Sequence, residues 1–141
     1  MRVYKTNSAE ETLALGERLA ALLPRSGVVL LSGNLGAGKT TLAKGIAVGL
    51  GVARAAEVSS PTFTLIHEYG EPVRLYHIDL YRIEEERELA TLELEDLMDR
   101  DAMVLIEWGE RFAGLMPRPR TEVRIERSGE DARTVEVREV V

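Results

Sequence analysis

The chain of 141 residues has room for about one domain, and its 45% hydrophobic and 30% charged residues exclude a mainly disordered or collagen-like protein. The absence of cysteine excludes disulfide scaffolds, cysteine nucleophiles and thiolate metal sites. A net charge of −6 argues against sequence-independent nucleic-acid binding, which needs a basic face, but it does not exclude docking to a nucleic-acid-modifying partner.

The N-terminal segment carries no basic region followed by an apolar stretch, which is the pattern of a secretory signal. The longest apolar run, residues 28–31, is far shorter than the ~20 residues that span a bilayer. We therefore expect a cytoplasmic protein.

The first half of the chain predicts a helix, a buried strand and a second helix. Ser8 opens a capping box, and an apolar stripe follows it until Pro24. Residues 28–31 form a continuous apolar run, as expected of a strand covered on both faces in a parallel sheet. After a glycine-rich turn, residues 39–50 read as a second helix, which Gly51 closes.

The second half predicts two hairpins around another buried strand. Residues 63–69 and 73–79 are β-prone runs separated by a Gly-Glu-Pro turn. The acidic stretch 84–98 predicts one or two short helices, and the apolar run 103–106 predicts a strand that ends in Glu107. Residues 121–126 and 133–138 alternate polar and apolar positions on either side of a turn. We predict one α/β domain over residues 1–141, with a mixed, mostly parallel central sheet flanked by helices, and with β-hairpins.

The turn after the first buried strand matches the phosphate-loop pattern G-x-x-x-x-G-K-[ST] at residues 33–40. Glycines let backbone N–H groups approach phosphate oxygens, the lysine reaches the terminal phosphates, and the threonine hydroxyl can hold Mg²⁺. A chance glycine-rich turn is the alternative, but the strand before the motif and the helix after it favour a nucleotide site. The residues predicted to bind the nucleotide are Gly33, Asn34, Gly36, Ala37, Gly38, Lys39, Thr40 and Thr41.

Two carboxylates follow β-like runs and are candidates for metal binding and catalysis. Glu107 ends four apolar residues, and Asp79 ends the run 73–78. Ligands of open α/β sheets collect at the carboxyl ends of parallel strands, where both acids would emerge. The alternative for each is a solvated acid at a strand end, or a helix N-cap in the case of Asp79. His77 is expected to be a packed or hydrogen-bonded histidine, and Trp108 is expected to pack in the core.

Missing motifs narrow the chemistry further. The sequence has no N-K-x-D, the guanine-recognition element of common GTPases, and no arginine-rich lid segment follows Asp79. The second absence argues against a small-molecule kinase, in which Asp79 would be the base for an acceptor hydroxyl. That kinase and a nucleotide-binding interaction module without a dedicated catalytic role remain the alternatives.

Four segments in this order resemble the TsaE family of P-loop ATPases, which take part in bacterial tRNA threonylcarbamoyladenosine biosynthesis. They are the phosphate loop, S-P-T-F at residues 60–63, H-I-D-L-Y-R at 77–82 and I-E-W at 106–108. The phosphate loop is shared with a vast superfamily, whereas the second and third segments are far more specific. The resemblance covers nearly the whole chain and implies a P-loop NTPase-like fold that binds ATP or ADP with Mg²⁺.

The resemblance also implies roles for individual residues. Residues 36–41, including Lys39, would hold the phosphates, and Thr40 and Glu107 would hold the metal. Thr62 and Asp79 would face the γ-phosphate and the attacking water. Many members of the family have Trp-Pro where this chain has Trp108 followed by glycine, so the path of the chain after Glu107 is left open.

The implied partners are the TsaD and TsaB proteins, with tRNA engaged indirectly; a direct contact with tRNA is left open. In the family, the ATP cycle is thought to reset the TsaD–TsaB complex between turnovers. Arg82 is the one arginine near a motif that could act as an arginine finger in cis, a group worth about 10³–10⁵ in rate in related switches. We therefore expect slow intrinsic hydrolysis of ATP that rises when the partners dock.

Overall fold

The computed structural model describes residues 1–59, 61 and 65–141. In that part of the chain the strands and α-helices, in order, are β1 (Arg2–Thr6), α1 (Ala9–Leu22), β2 (Gly27–Ser32), α2 (Lys39–Gly49), β3 (Ile66–Tyr69), β4 (Leu75–Asp79), α3 (Glu86–Ala90), α4 (Leu94–Met98), β5 (Met103–Glu107), β6 (Arg120–Arg127) and β7 (Arg133–Val140). Two 3₁₀ segments complete the list, Ala55–Glu57 and Gly109–Leu115. None of the helices so described is long and apolar enough to cross a membrane.

The seven strands form one sheet in the order β1-β7-β6-β2-β5-β4-β3. The central strands β6, β2, β5 and β4 are mutually parallel. Each edge is antiparallel, because β3 pairs with β4 on one side, while β7 pairs with β6 and β1 on the other. The predicted α/β fold with a mixed, mostly parallel sheet is confirmed, as are both predicted hairpins.

Apolar side chains cover the central strands on both faces, as the continuous apolar runs predict. On one face, α1 and α2 pack on alternate residues of the sheet, including Val29, Leu31 and Leu105. On the other face, α3, α4 and the second 3₁₀ segment cover a smaller core around Ile78 and Ile106. The sheet is therefore held between two layers of helices, and the loops after its parallel strands meet at one edge.

Helix α1 begins where the sequence predicts. The N–H of Glu11 donates to Oγ of Ser8 at 3.1 Å, which makes Ser8 the N-cap. The reciprocal contact is displaced by one residue, since the Glu11 carboxylate accepts from the N–H of Asn7 at 3.1 Å. The helix ends at Leu22, two residues before Pro24.

Helices α1 and α2 touch through their backbones. A Cβ atom added to Gly16 of α1 would lie 2.5 Å from the carbonyl oxygen of Leu42 and 2.8 Å from Cα of Gly45, both in α2. Any larger side chain at Gly16 would force the helices apart. The glycines of the two helices allow this close packing.

Three strands differ from the prediction. Strand β1 is not foreseen, because it is an edge strand with mostly exposed residues and lacks a buried apolar face. Strand β4 begins at Leu75, two residues later than predicted, because the turn closes through the Arg74 N–H and the Tyr69 carbonyl at 2.9 Å. Strand β3 begins at Ile66, and the first residues of its predicted run lie outside the described residues.

Candidate nucleotide site

A cleft of about 390 Å³ opens at the carboxyl ends of the parallel strands. Its walls come from the phosphate loop (residues 33–40), the start of α2, the ends of β4 and β5, and the start of β7. The residues that line it are Leu35, Gly36, Gly38, Lys39, Thr40, Thr41, Asp79, Tyr81, Glu107, Trp108 and Arg133. Seven of the predicted site residues therefore share one cleft. Five come from the loop and the start of α2, and two are the strand-end carboxylates: Gly36, Gly38, Lys39, Thr40, Thr41, Asp79 and Glu107.

The remaining predicted residues divide into two groups. Gly33, Asn34 and Ala37 line a broader cavity of about 740 Å³, which Gly36 borders as well. Thr62 lies outside the described residues. The prediction for Thr62 therefore stays a prediction.

The phosphate loop is folded tightly against the β6–β7 hairpin. A Cβ atom on Gly33 would lie 2.5 Å from the carbonyl oxygen of Ile125, so only glycine fits there. Gly38 is the N-cap of α2 and has a φ of 106°, a left-handed conformation that favours glycine. The loop therefore delivers the chain directly into the first turn of α2, whose N–H groups have no partners within the helix and carry the positive end of its dipole.

Lys39 is a buried cation at the floor of this cleft. Lys39 is only 6% exposed, and its Nζ has no hydrogen-bond partner among the described residues. Nζ lies 3.5 Å from the ring centroid of Trp108, a cation–π contact. Burial lowers the pKa of Lys39, and the charges of Glu107, Glu110 and Asp79 oppose that shift. A buried ammonium without a hydrogen-bonding partner is costly, and an anionic ligand would relieve that cost.

Trp108 does more than pack in the core. It follows β5 in a left-handed conformation with a φ of 66°, and it packs partly against the smaller core. Its ring also lies 5.1 Å from that of Tyr81 and beneath the Lys39 ammonium. The sequence reasoning missed this contact, because nothing local relates Trp108 to a lysine in a different element.

Glu107 and His77 form a buried pair at the ends of β5 and β4. His77 Nε2 lies 2.5 Å from Glu107 Oε2, and both side chains are almost fully buried. Where the carboxylate acts as the acceptor, the Nε2–H of His77 is the donor of this hydrogen bond. The prediction of a hydrogen-bonded histidine is confirmed, and the contact fixes the orientation of Glu107 towards the cleft.

Asp79 is the direct neighbour of Glu107 in the parallel pairing of β4 with β5. It is 2% exposed, and its Oδ1 accepts a hydrogen bond from the N–H of Tyr81 at 2.8 Å. This contact orients the carboxylate and shapes the turn after β4. The alternative of a purely solvated acid is therefore wrong for both strand-end acids, since Glu107 is also 2% exposed.

Arg133 is a cleft residue that sequence reasoning missed. Its Nε–H donates to the carbonyl oxygen of Ala37 in the phosphate loop at 2.8 Å, across 96 residues of sequence. Arg133 is the first residue of β7, and its pattern predicts only an ordinary hairpin strand. No local signal in the sequence could have connected it to the phosphate loop.

The described residues offer few ligands for a metal ion. In residues 1–59, 61 and 65–141, no three His, Asp or Glu side chains come together as a ready-made metal cluster. Thr40 and Glu107 line the same cleft, which gives one hydroxyl and one carboxylate. That sparse oxygen set suits Mg²⁺, which usually takes one or two carboxylates and completes its shell with phosphates and water.

Comparison with known proteins gives a consistent result. The family described as "Threonylcarbamoyl adenosine biosynthesis protein TsaE" matches residues 6–135. A protein of Bacillus subtilis strain 168 named "tRNA threonylcarbamoyladenosine biosynthesis protein TsaE" is 41% identical over 133 residues, which covers 94% of this chain and 82% of the relative. A protein of Haemophilus influenzae with the same name is 37% identical over 131 residues, covering 89% of this chain and 81% of the relative.

Solved structures agree with this result. The crystal structure of YdiB from Bacillus subtilis superimposes with a TM-score of 0.79 and 33% sequence identity, covering 99% of this chain and 86% of that chain. Both the sequence and the fold are therefore shared along almost the whole length. The chain belongs to the TsaE family.

Proposed function

We propose that this protein binds ATP and ADP with Mg²⁺, hydrolyses ATP slowly, and acts as a nucleotide-dependent switch in the threonylcarbamoyladenosine modification of tRNA. The pathway is supported by the names of its relatives, which describe them as tRNA threonylcarbamoyladenosine biosynthesis proteins. The nucleotide chemistry is supported by the cleft.

The observation that carries the nucleotide proposal is Lys39. Its ammonium is buried at the N-terminus of α2 and lacks a hydrogen-bond partner among the described residues. The ring of Trp108 is its neighbour, and a cation–π contact is weaker than a pair with phosphate oxygens. The α2 N-terminus adds N–H donors for the same anion. A polyphosphate satisfies both groups at once.

Mg²⁺ would be held by the hydroxyl of Thr40 and the carboxylate of Glu107. When bound, it would neutralise charge that develops on the phosphates. His77 serves this site by donating to Glu107 from Nε2, which holds the carboxylate in one orientation. Because that donor is itself buried, the carboxylate cannot reorient freely towards solvent.

Asp79 would accept the proton of the attacking water, or orient that water, beside the terminal phosphate. The Tyr81 N–H holds one of its oxygens in place. Thr62 is proposed to face the same phosphate. Lys39 would stabilise the negative charge on the terminal phosphates, since charge stabilisation and positioning supply most of the catalysis in phosphoryl transfer.

The proposed partners are TsaD and TsaB, with tRNA engaged through them. Arg133, the one arginine in the wall of the described cleft, is committed to the backbone of the phosphate loop. Hydrolysis by the isolated protein is therefore expected to be slow and to accelerate when the TsaD–TsaB complex docks. Coupling between two ligands is reciprocal, so ATP should then tighten that association relative to ADP.

Lys39→Ala tests the nucleotide site, and Lys44→Ala is the matched control. Lys44 lies on the same helix but outside the cleft. Isothermal titration with ADP should show a loss of affinity of about 10–100-fold for Lys39→Ala, the size expected for a hydrogen bond to a charged group, and no loss for the control. Unchanged ADP affinity in Lys39→Ala would contradict the nucleotide site.

The switch is tested by phosphate release with and without purified TsaD–TsaB complex. Partner affinity is measured in parallel in ATP and in ADP. An increase in turnover together with tighter association in ATP is expected. Fast turnover of the isolated protein with no response to the partners would leave an ordinary ATPase. ADP formation that requires a small acceptor, and that yields phosphorylated acceptor with little free phosphate, would favour the kinase alternative.

A further inference from the structure

We infer that Arg133 is a positioning residue for nucleotide binding, which holds the phosphate loop in its binding conformation from the opposite end of the chain. This inference rests on the proposed function, since it assigns a role toward a nucleotide in the same cleft. It concerns a residue outside every motif that the sequence offers.

The guanidinium of Arg133 ties the phosphate loop to the turn between β6 and β7. Nε–H donates to the carbonyl of Ala37 at 2.8 Å. A terminal nitrogen donates to the carbonyl of Ala132 at 2.9 Å and to that of Glu130 at 3.4 Å. One planar side chain therefore bridges the loop and the hairpin, which lysine cannot do with the same geometry.

The Ala37 carbonyl needs this partner. Ala37 is 3% exposed, and the first bond of α2 runs from the N–H of Leu42 to the carbonyl of Gly38, so the Ala37 carbonyl lies outside the helix. A buried carbonyl without a partner is costly. Arg133 supplies the partner with a charged donor.

The hydrogen bond from Arg133 to the Ala37 carbonyl also sets the direction of the Gly38 N–H. In a trans peptide, the C=O of one residue and the N–H of the next point in opposite directions. By holding the Ala37 carbonyl towards the hairpin, Arg133 turns the Gly38 N–H the other way. Gly38 has the backbone freedom to let this peptide rotate, because its left-handed conformation carries no side-chain restraint. A loop without Arg133 would therefore lose a fixed N–H donor for an anion.

Charge reinforces the geometry. Arg133 lines the cleft together with Lys39, and its guanidinium carries a positive charge. The protein is acidic overall, and Asp79 and Glu107 lie in the same cleft. A second cation beside the loop counters these carboxylates when a polyphosphate enters.

The test compares Arg133→Gln and Arg133→Lys with a control, Arg127→Gln. Arg127 is bonded to the same turn, through the carbonyls of Gly129 and Glu130, but not to the phosphate loop. ADP affinity and the affinity for a non-hydrolysable ATP analogue are measured by isothermal titration. Melting temperature and the KM and kcat of ATP hydrolysis are measured on the same samples.

Arg133→Gln should weaken ADP and the ATP analogue by a similar factor of about 10, raise KM, and leave kcat near that of the wild type. Arg133→Lys should recover part of the affinity by restoring the charge, and Arg127→Gln should bind like the wild type. If Arg133→Gln melts early, Arg133→Lys decides the question, because it must still bind ADP less tightly than the control.

Wild-type affinity in both Arg133 variants, or a fall in kcat alone, would overturn this inference while leaving the nucleotide site intact. Equal weakening by Arg127→Gln would also overturn it, since the effect would then belong to the hairpin as a whole. Failure of the wild-type protein to bind ADP would instead overturn the proposed function.

Discussion

The two sides of the cleft differ in how their acidic side chains are compensated. On the strand side, the ends of β4 and β5 place the acids Asp79 and Glu107 in nearly complete burial. On the hairpin side, the acids of β6 pair with arginines, as in the contacts of Glu122 with Arg120 and Arg138 at 2.8 and 2.6 Å. The hairpin presents a cation, Arg133, to the cleft.

This difference would separate the acids proposed to take part in the chemistry from the acids that stabilise the fold. A carboxylate that is buried at a strand end in the cleft lies where a metal ion or a water could contact it. A carboxylate between two guanidiniums has its charge neutralised by the protein itself. Substitutions on the two sides should therefore change different measurements.

The largest effect is expected from Asp79→Asn. The amide can still accept the Tyr81 N–H but cannot accept a proton from water, so the chemical step should slow by about 10²–10⁴-fold. ADP affinity should remain near that of the wild type. Single-turnover phosphate release beside ADP titration measures both quantities, with the exposed acid before β5, Asp101→Asn, as control. A loss of ADP binding equal to the loss of rate would mean that Asp79 serves binding rather than catalysis.

A smaller effect is expected from His77→Gln. Loss of the imidazole donor loosens Glu107, and the Mg²⁺ concentration that gives half-maximal turnover should rise by about 10–100-fold. The other histidine, His67, is its register partner on β3 and supplies the control His67→Gln. ADP affinity in EDTA should be unchanged in both variants. An equal loss with and without Mg²⁺ would assign His77 to the fold alone.

The smallest effect is expected on the hairpin side, from Glu122→Gln. Burial raises the pKa of Glu122, but the hydrogen bonds and charges of Arg138 and Arg120 outweigh it, so that the net pKa lies below the ordinary 4.5. The contribution to stability is therefore present above pH 4.5 and is lost as the pH falls below it through the folded-state pKa.

Urea unfolding at a series of pH values measures this contribution. At pH 7 the variant should be less stable than the wild type by about 1–2 kcal/mol, and the difference should shrink in acid. The matched control is Glu126→Gln, since Glu126 pairs with Arg124 at 2.5 Å but both side chains are more than half exposed. Turnover should stay near that of the wild type in both. A difference that is constant with pH would show that the charge of Glu122 is not the stabilising element.

The strand side could be predicted from the sequence because its signals are local. An apolar run followed at once by an acid predicted strand β5 and the position of Glu107 at its end. The glycines and the lysine of the motif predicted the phosphate loop. The contact between His77 and Glu107 joins residues 30 apart, so the sequence could predict a hydrogen-bonded histidine but not its partner. Tertiary register, not local pattern, selects that partner.

The hairpin side could not be predicted in the same way. Arg133 begins an amphipathic strand in which an arginine is unremarkable, and its partner, Ala37, is an apolar residue that contributes only a backbone carbonyl. The contact of Lys39 with Trp108 is hidden for a similar reason, since a tryptophan after a buried strand ordinarily packs in the core. Contacts made through a backbone atom or a ring face cannot be predicted from the types of the residues involved.

The backbone contact between α1 and α2 has a mechanical consequence. Where Gly16 meets Leu42 and Gly45, no side chains lie between the helices to absorb relative motion. The two helices would therefore move together as one rigid unit. A displacement at the start of α2, where the proposed phosphates would bind and leave, would also displace α1. The outer surface of α1, with its charged residues such as Glu10 and Glu17, would then report the state of the cleft at a distance without lining it.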